Sequence, residues 1–438
     1  MGHVPRGVFV NRVAMPVENK LAIETKEFWD EDALLKEERR EFNVCHGCRL
    51  CWNFCPAFPA LFDKTDAVDG DFEKLSRKDL RIVEDSCYQC KLCFIRCPYT
   101  APHQYDIDIP RLLMRAKFIN ARKDGVKLQD KLMGNTDLLG KVGGLTAPMA
   151  NLGNNVWPVR FVMEKTMGIH RDATLPRFHM RSFASWFKGH EKDLYASLPA
   201  DTPKVAFFYT CYVNHNDPPT GIACAQVLAH NQIRVIAPEQ QCCGMPFIDG
   251  GDLNAALGKI KANLKSLTEV VKQGCDIVVP GPTCSFMLKK EYPRLAPSDD
   301  AKLVSQHTFD ISEYLWKRKV AGKLNTQFKA KLGKVAYHAP CHLRAQMVGN
   351  KGADLMALAP DTEVERVEQC SAHDGAWGVK KHSHALSLKY GQKLFRGLEE
   401  SEAGLYVTDC PLAALQIQHA TGKRPVHPMQ ALKVAYGI

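Results

Sequence analysis

The chain lacks the sequence features of membrane-spanning, secreted and dinucleotide-binding proteins. No run of about eighteen apolar residues occurs in its 438 residues, so no membrane-spanning helix is expected. The segment MGHVPRGVFVNRVAMPVENK lacks the continuous apolar core of a secretory signal, which favours a cytoplasmic location. No strand–GxGxxG–helix pattern is present, and Gly140–Gly144 lacks that context, so no bound flavin or nicotinamide is expected.

Clustered charge is also scarce. The net charge of +10 is modest, and the basic stretch from Lys317 to Lys334 contains a single aromatic residue, Phe328. A solvated helix followed by a linker explains this stretch better than a nucleic-acid surface, which would interleave basic and aromatic side chains. We therefore expect no nucleic-acid partner.

Cysteine, in contrast, is abundant. Seventeen cysteines are present, and eight of them form two motifs of identical spacing, C-x2-C-x2-C-x3-C-P. Bacterial ferredoxins use this run to hold two [4Fe–4S] clusters, and the fourth cysteine of each motif reaches the other cluster. The predicted ligands are therefore Cys45, Cys48, Cys51 and Cys97 for one cluster, and Cys87, Cys90, Cys93 and Cys55 for the other.

Zinc is the alternative occupant of these motifs. Zinc sites use two CxxC pairs or mixtures of Cys and His, whereas both motifs here contain four cysteines and end in Cys-Pro. Pro56 and Pro98 are expected to stop each turn from continuing into a helix. The spacing therefore favours iron–sulfur clusters.

The composition suggests four segments. A two-cluster ferredoxin-like module with its N-terminal lead-in is expected at residues 1–110, with a charged helix over Glu31–Phe42 ahead of the first motif. Residues 111–200 have no cysteine and read as a helical connecting segment, beginning with an amphipathic helix over Arg111–Arg122. Two half-domains follow at residues 201–325 and 326–438.

The two half-domains form an internal repeat. Short β-branched runs alternate with helix-like stretches, which predicts βαβ units and a largely parallel sheet in each half. The predicted strands are Lys204–Thr210, Ile233–Pro238, Asp276–Pro280, Lys334–His338, Glu363–Val367 and Leu405–Thr408. Cysteines follow nearly every strand, at offsets of 128 to 130 residues between the halves. Because loops at the carboxyl ends of parallel strands build sites in such folds, these cysteines are expected to converge.

The repeat resembles the cysteine-rich CCG domain of heterodisulfide reductases and related iron–sulfur subunits. The first copy contains Cys211, then Cys242-Cys243-Gly244, then Gly281-Pro-Thr-Cys284; the second contains Cys341, then Cys370-Ser371-Ala372, then Cys410-Pro-Leu-Ala413. With the ferredoxin motifs ahead of it, the order looks most like the C subunit of anaerobic glycerol-3-phosphate dehydrogenase. The resemblance implies a mixed α+β and α/β protein in which the helical module precedes two α/β half-domains.

The chain departs from the family pattern at four positions. Gly281, Ser371 and Ala413 stand where the family has cysteine, and Ala372 stands where it has glycine. The first copy keeps four cysteines, Cys211, Cys242, Cys243 and Cys284, which suffice for a further iron–sulfur cluster. The second keeps three, with His338, His342 and His373 close in sequence. Cys341, Cys370 and Cys410 with His373 suit zinc or another single metal, a three-thiolate cluster with an open iron is an alternative, and loss of the site is a third.

Two classes of function follow from this resemblance. The first is an electron-transfer subunit that works between a redox partner, a flavoprotein dehydrogenase, and a quinone or protein acceptor, in the cytoplasm or peripherally at the inner face of the membrane. An iron–sulfur protein without an organic cofactor passes single electrons and needs such a partner for two-electron substrates. The second is a reductase of the heterodisulfide type, which acts on a thiol or disulfide substrate; the missing cysteines count against it.

Overall fold

The computed structural model describes residues 22–438. The prediction that the N-terminal segment carries no secretory signal lies outside these residues. Across the described residues, no helix combines the length and the apolar character needed to cross a bilayer.

The cysteine motifs lie in a helical first region. Its helices are α1 (Glu31–Cys48), α2 (Ala57–Asp66), α3 (Arg77–Ser86), α4 (Leu92–Arg96) and α5 (Ile109–Asp124). The helix predicted over Glu31–Phe42 is confirmed, and it continues through the first two cysteines to Cys48. Arg49 caps its end with a left-handed φ of 51°. The apolar face of α5 packs into the same core as both motifs.

Pro56 does not act as predicted. Helix α2 begins immediately after it, at Ala57, and Pro56 is the N-cap residue of that helix. Proline favours the start of a helix because its missing N–H is not needed there. Only Pro98 is followed by non-helical turns, which extend until α5 begins.

The connecting segment is built from short helices, as predicted from its glycines and prolines. They are α6 (Leu128–Gly134), α7 (Thr136–Leu145), α8 (Ala147–Gly153), α9 (Trp157–Thr166) and α10 (Phe183–Leu194). Gly140 in α7 lies against His215 of the next region, because a Cβ there would meet the His215 ring at 2.3 Å. Helix α7 is thereby fixed beside the first half-domain.

The first half-domain is an α/β unit. Its elements are β1 (Lys204–Phe207), α11 (Cys211–His215), α12 (Pro218–His230), β2 (Arg234–Ile236), α13 (Met245–Asp249), α14 (Leu253–Lys272), β3 (Asp276–Val279), α15 (Pro282–Phe286), α16 (Tyr292–Leu295), α17 (Asp299–Gln306), β4 (Thr308–Asp310) and α18 (Ile311–Val320). A π-helical turn at Met287–Glu291 joins α15 to α16. Asp252 caps α14 by accepting from Ala255 N, and apolar residues at helical spacing bury one face of that helix.

The second half-domain repeats this pattern in shorter form. Its elements are β5 (Gly333–His338), α19 (Cys341–Ala345), α20 (Lys351–Met356), β6 (Thr362–Val367), α21 (His384–Glu400), β7 (Leu405–Thr408), α22 (Pro411–Thr421) and α23 (Pro428–Tyr436). One core joins the halves, because residues of α12, β1, β5 and α23 belong to the same buried cluster.

Both sheets are parallel, as predicted. The strand orders are β2-β1-β3-β4 and β6-β5-β7, so the first strand of each copy has a neighbour on both sides. Strand β4, which has three residues between two helices, is not predicted from the sequence. In the second copy the corresponding pairing is reduced to a single parallel bridge between Val407 and Val426.

Candidate iron–sulfur centres

The first cysteine set comprises Cys45, Cys48, Cys51 and Cys97. Two of its members lie in the last turn of α1, and Cys97 caps the end of α4. Burial, then the Glu41 carboxylate and the other three thiols, raise the pKa of Cys45. Burial and the thiols of Cys97 and Cys48 raise the pKa of Cys51 to about 12. The set that the crossed pattern predicts is therefore a set of spatial neighbours.

The second cysteine set comprises Cys55, Cys87, Cys90 and Cys93. All four line one internal cavity, whose other walls are mostly aromatic and aliphatic. Gln89 and Lys91 flank Cys90 with left-handed φ values of 54° and 64°, which curl this loop around the cavity. Burial, followed by the neighbouring Cys87 thiol, raises the pKa of Cys55.

The donor chemistry of both sets fits an iron–sulfur cluster. Thiolates are the cluster ligands, yet thiols packed together in apolar surroundings do not ionise as isolated groups. A cationic iron core supplies the opposite charge that such thiolates need. Among residues 22–438, no three or more His, Cys, Asp or Glu side chains are already arranged as a closed shell for a single metal ion.

The first-copy set brings Cys211, Cys242, Cys243 and Cys284 together from three loops. The sulfurs of Cys243 and Cys284 lie 3.3 Å apart. Hydrogen bonds from Cys211 and then Cys243 lower the pKa of Cys242, and the same contacts raise the pKa of each of those partners. Gly244 supplies the left-handed backbone, at φ 94°, that follows this pair.

Helix α7 closes the first-copy site, a role that the sequence analysis did not assign to the connecting segment. The Thr136 hydroxyl, whose oxygen is buried, lies beside the Cys211 and Cys242 thiols. Asp137 accepts from the backbone N–H of Cys242 at 3.0 Å and pairs with Lys259 at 2.7 Å. The signal in the sequence was Asn135-Thr-Asp, which is typical of a helix start.

The second-copy set comprises Cys341, Cys370 and Cys410. Burial, then Cys370 and Cys410, raise the pKa of Cys341, and burial raises the pKa of Cys410 to about 11. Two of these sulfurs accept backbone hydrogen bonds from residues at which the chain departs from the family pattern. Cys370 accepts from Ala372 N at 3.2 Å, and Cys410 accepts from Ala413 N at 3.5 Å.

The three histidines near this set differ in availability. Both ring nitrogens of His338 are hydrogen-bonded, to the Thr408 hydroxyl and the Gln369 carbonyl. Those of His342 are also engaged, whereas Nδ1 of His373 has no hydrogen-bond partner among the described residues. Burial, followed by His384, lowers the pKa of His373 to about 4. His373 therefore has a free nitrogen, but its ring faces other histidines.

His384 and His382 flank a helix start, where the sequence favours surface or supporting roles. His384 is the first residue of α21, as expected, but it is buried and stacks on His170 at 4.3 Å between ring centroids. His382 is exposed. Cys224 lies in a helix-like run and Cys275 precedes a strand, so the sequence predicts both as buried small apolar residues, and both are buried.

The second motif packs directly against the second-copy set. The Tyr88 hydroxyl lies 3.7 Å from the sulfur of Cys370, and the Tyr88 ring packs on Trp377 at 5.2 Å. Burial, then Cys341, Cys55 and Cys370, raise the pKa of Cys90. The Cys90 thiol thus lies beside Cys55, the fourth ligand of its own set, and also beside the second-copy set.

His342 links three cysteine loops. Its Nδ1 lies 3.0 Å from the hydroxyl of Thr283, and its Nε2 lies 3.1 Å from the carbonyl of Gln89. Each of these three residues is the immediate neighbour of a predicted ligand: Cys284, Cys341 and Cys90. The sequence gives no sign of this bridge, because the three residues are far apart along the chain.

Buried charges anchor the same junction. Lys91 Nζ lies 3.9 Å from Glu291 in the π-helical turn, and Arg111 lies 4.0 Å from the same carboxylate. Burial would raise the pKa of Glu291, but Lys91, Arg111 and neighbouring cations outweigh it and lower that pKa. A buried carboxylate of this kind needs such partners.

Comparisons with known proteins agree with this architecture. Residues 38–123 match the Citrate utilization protein B Fer4-like domain, and residues 205–289 and 335–418 each match the Cysteine-rich domain, CCG. The chain is 30% identical over 405 residues to the C subunit of the anaerobic glycerol-3-phosphate dehydrogenase of Escherichia coli K12, covering 90% of this chain and 98% of that protein.

Two further relatives share parts of the chain. The B subunit of the fumarate reductase (CoM/CoB) of Methanothermobacter marburgensis is 28% identical over 238 residues, which is 53% of this chain and 45% of that protein. Lactate utilization protein A of an Exiguobacterium species is 27% identical over 194 residues, which is 41% of this chain and 74% of that protein.

Proposed function

The chain belongs to the CCG-domain iron–sulfur proteins that carry a Fer4-like domain of the citrate utilization protein B type, and from that membership we propose that it is an electron-transfer subunit of an oxidoreductase complex. It carries electrons between a redox partner, a flavoprotein dehydrogenase, and a quinone or protein acceptor. The relative with 98% coverage is itself named as a dehydrogenase subunit, which supports this choice.

The observation that carries the proposal is the junction between the second motif and both CCG copies. Tyr88 reaches the Cys370 sulfur, and the His342 ring joins Gln89 to Thr283. Iron–sulfur clusters held by the cysteine sets on either side of this junction would supply single-electron transfer. The residues between them are buried, so they exclude water and keep the cysteine loops in fixed positions.

The proposed ligands follow the four sets. The first and second cysteine sets each hold one [4Fe–4S] cluster, with Cys97 and Cys55 exchanged between the motifs. The first-copy set holds a third cluster, and the second-copy set with His373 holds a single metal or remains open. Asp137 positions the first-copy loop by accepting from the Cys242 backbone N–H, and the Thr136 hydroxyl lies beside the Cys242 thiol.

The apolar surface of the connecting segment supports peripheral attachment to a membrane. Leu145 and Met149 are 84% and 72% exposed, and Leu138, Val142, Leu152, Trp157 and Val162 are exposed beside them. The sequence from Leu138 to Met163 contains no Asp or Glu. Short helices of this kind, with an interfacial tryptophan, lie in the plane of a bilayer surface.

The test is reoxidation of the reduced chain. The anaerobically reconstituted full chain, reduced with dithionite and freed of excess reductant, is expected to be reoxidised rapidly by a water-soluble menaquinone analogue. The EPR signals of reduced clusters should disappear on the same time course. Reduced chain that the quinone leaves unchanged, in protein with full iron content, contradicts a quinone as the acceptor.

A heterodisulfide-type reductase is the second candidate. The observation that favours it is the convergence of four thiols in the first copy, with two sulfurs 3.3 Å apart. The discriminating measurement is turnover of a mixed thiol disulfide with reduced viologen as donor. Multiple turnovers by the isolated chain would transfer the assignment to this candidate.

A further inference from the structure

A basic cavity lies between the connecting segment and the second half-domain. Its volume is about 570 Å³. Its walls come from α8, α9, the loop after α9, and α22. Four arginines line it, Arg160, Arg171, Arg177 and Arg424, while Asp172 is the one acidic residue among the described lining residues.

Arg160 is the unusual member of this group. It is only 4% exposed, and its Nε and Nη2 atoms donate to three backbone carbonyls, those of Arg171, His170 and Ala173. Its Nη1 atom has no hydrogen-bond partner among residues 22–438. A buried guanidinium donor without an acceptor is costly, so it points to a missing ligand.

The local charges do not neutralise Arg160. Arg171 is already paired with Glu164 through two contacts of 2.8 Å. The carboxylate that acts on Arg160 is Asp172, whose side chain is 71% exposed. Arg177 and Arg424 are exposed at the rim and form no ion pair with residues 22–438, so two exposed cations and one buried cation line the same cavity.

We propose that this cavity binds a phosphate group, with Arg160 at its base and Arg177 and Arg424 at its rim. Guanidinium groups recognise tetrahedral oxyanions with paired N–H donors, and three of them match the charge of a phosphate ester. Gln418 also contributes an unpartnered buried oxygen, which can accept from a hydroxyl of the bound ester. The site is independent of the electron-transfer assignment.

Two sources of the phosphate group are compatible with the position of the cavity. Helices α8 and α9 present exposed apolar residues, such as Leu152 and Val162, on their outer surface. The phosphate therefore belongs either to the headgroup of an anionic lipid or to a free phosphate ester. The experiment separates these sources with two probes, inorganic phosphate and vesicles of phosphatidylglycerol, with phosphatidylcholine vesicles as reference.

The test compares the full chain with a double variant, Arg177→Gln with Arg424→Gln. Isothermal titration with inorganic phosphate and vesicle flotation are measured for both. The double variant is expected to bind the effective probe at least about tenfold more weakly, because two charge-assisted contacts are lost. Arg181→Gln is the matched control, since Arg181 is exposed on the same segment but does not line the cavity.

The outcomes identify the source or reject the site. Phosphate binding that the double variant loses, without preference for phosphatidylglycerol vesicles, assigns a free phosphate ester. Preference for phosphatidylglycerol vesicles that the double variant loses, with little binding of inorganic phosphate, assigns a lipid headgroup. Failure of both probes to bind the full chain, or equal loss in Arg181→Gln, overturns the proposal.

The role of Arg160 is tested by the increase in Tm that the ligand causes, which can be compared even if the variant is less stable. Phosphate, or phosphatidylglycerol if that is the effective probe, is expected to raise the Tm of the full chain but not that of Arg160→Gln. The comparison uses the increment caused by the ligand, so a lower starting Tm does not affect it. An unchanged increment in Arg160→Gln shows that Arg160 only clamps the loop and overturns its place in the site.

Discussion

The two CCG copies keep the same backbone where they no longer keep the same cysteines. Gly244 in the first copy has a φ of 94°, and Ala372, at the corresponding place in the second, still has a left-handed φ of 54°. Alanine is strained in that region, whereas glycine is not. The second copy has therefore lost thiols while its loop retains the path that a CCG sequence requires.

The copies also differ in what closes their sites. Helix α7 of the connecting segment covers the first, through Thr136 and Asp137. The second motif of the ferredoxin-like module covers the second, through Tyr88 and Cys90. The four thiols of the first copy thus form a site that α7 covers. The thiols of the second copy instead pack against the second cysteine set.

The difference between the two copies is tested most directly by removing one thiol from each. Cys243→Ser is expected to remove a complete cluster, about four iron atoms per chain. Cys370→Ser is expected to remove at most one metal ion. Iron, zinc and sulfide analysis of anaerobically reconstituted protein measures both, and Cys224→Ser, a buried thiol outside the sets, is the control. Equal iron loss from both copies shows that the second also holds a cluster.

The neighbouring ferredoxin-like module offers the next test. Cys55→Ser should remove or convert the cluster of the second cysteine set, because Cys55 lines the same cavity as Cys87, Cys90 and Cys93. The cluster of the first set should keep its EPR signal. Cys51→Ser provides the reciprocal variant. If Cys55→Ser damages the first cluster and leaves the second intact, the crossed assignment is wrong.

A feature of the fold or the site can be predicted from the sequence when the residues that determine it are close together along the chain. The strands are predictable to within a few residues, and α14 to its ends, because β-branched runs and a capped amphipathic pattern are local signals. β4 was missed since three residues between helices carry no such pattern. The His342 bridge and the Thr136 contact join residues distant in sequence, so only the packed fold reveals them.

Restoring the missing thiols of the second copy tests the same difference by adding ligands. The triple variant Ser371→Cys, Ala372→Gly and Ala413→Cys completes the family pattern in the second copy and relieves the strained φ of Ala372. It is expected to raise the iron content by up to about four atoms per chain. Ala372→Gly alone is the control for the backbone effect. No change in iron or sulfide would show that the covering motif prevents assembly.

The first copy has a matched gain-of-thiol variant. Gly281 has an ordinary φ of −116°, and a Cβ there meets its nearest neighbour, Thr210 Cγ2, at 3.5 Å. Gly281→Cys should therefore fold and place a fifth thiol near the existing four. We expect altered EPR of the first-copy cluster at unchanged protein stability. An unaltered spectrum in iron-loaded protein contradicts the placement of the cluster beside residue 281.

A smaller effect is expected from His373. His373→Ala should release a single metal ion from the second copy, or change its coordination spectrum, while both ferredoxin-type signals remain. The free Nδ1 supports this role, although the ring packs beside His384 and His419. His382→Ala is the control, since His382 is exposed on the same segment. Unchanged metal content and spectrum in His373→Ala excludes His373 as a ligand.

The smallest expected effect comes from the Tyr88 hydroxyl, which joins the ferredoxin-like module to the second copy. Tyr88→Phe preserves the packing on Trp377 but removes the hydroxyl that lies 3.7 Å from Cys370. Hydrogen bonds to sulfur tune the reduction potentials of iron–sulfur sites, and the second set lies in the same cavity as Tyr88. We therefore expect full metal content, a small shift in potential in an EPR-monitored titration, and slower reoxidation by the quinone analogue. Tyr390→Phe is the control, because Tyr390 packs against the same core without this contact. Loss of metal in Tyr88→Phe would instead identify the hydroxyl as a structural support, and identical potentials and reoxidation rates would remove Tyr88 from the junction.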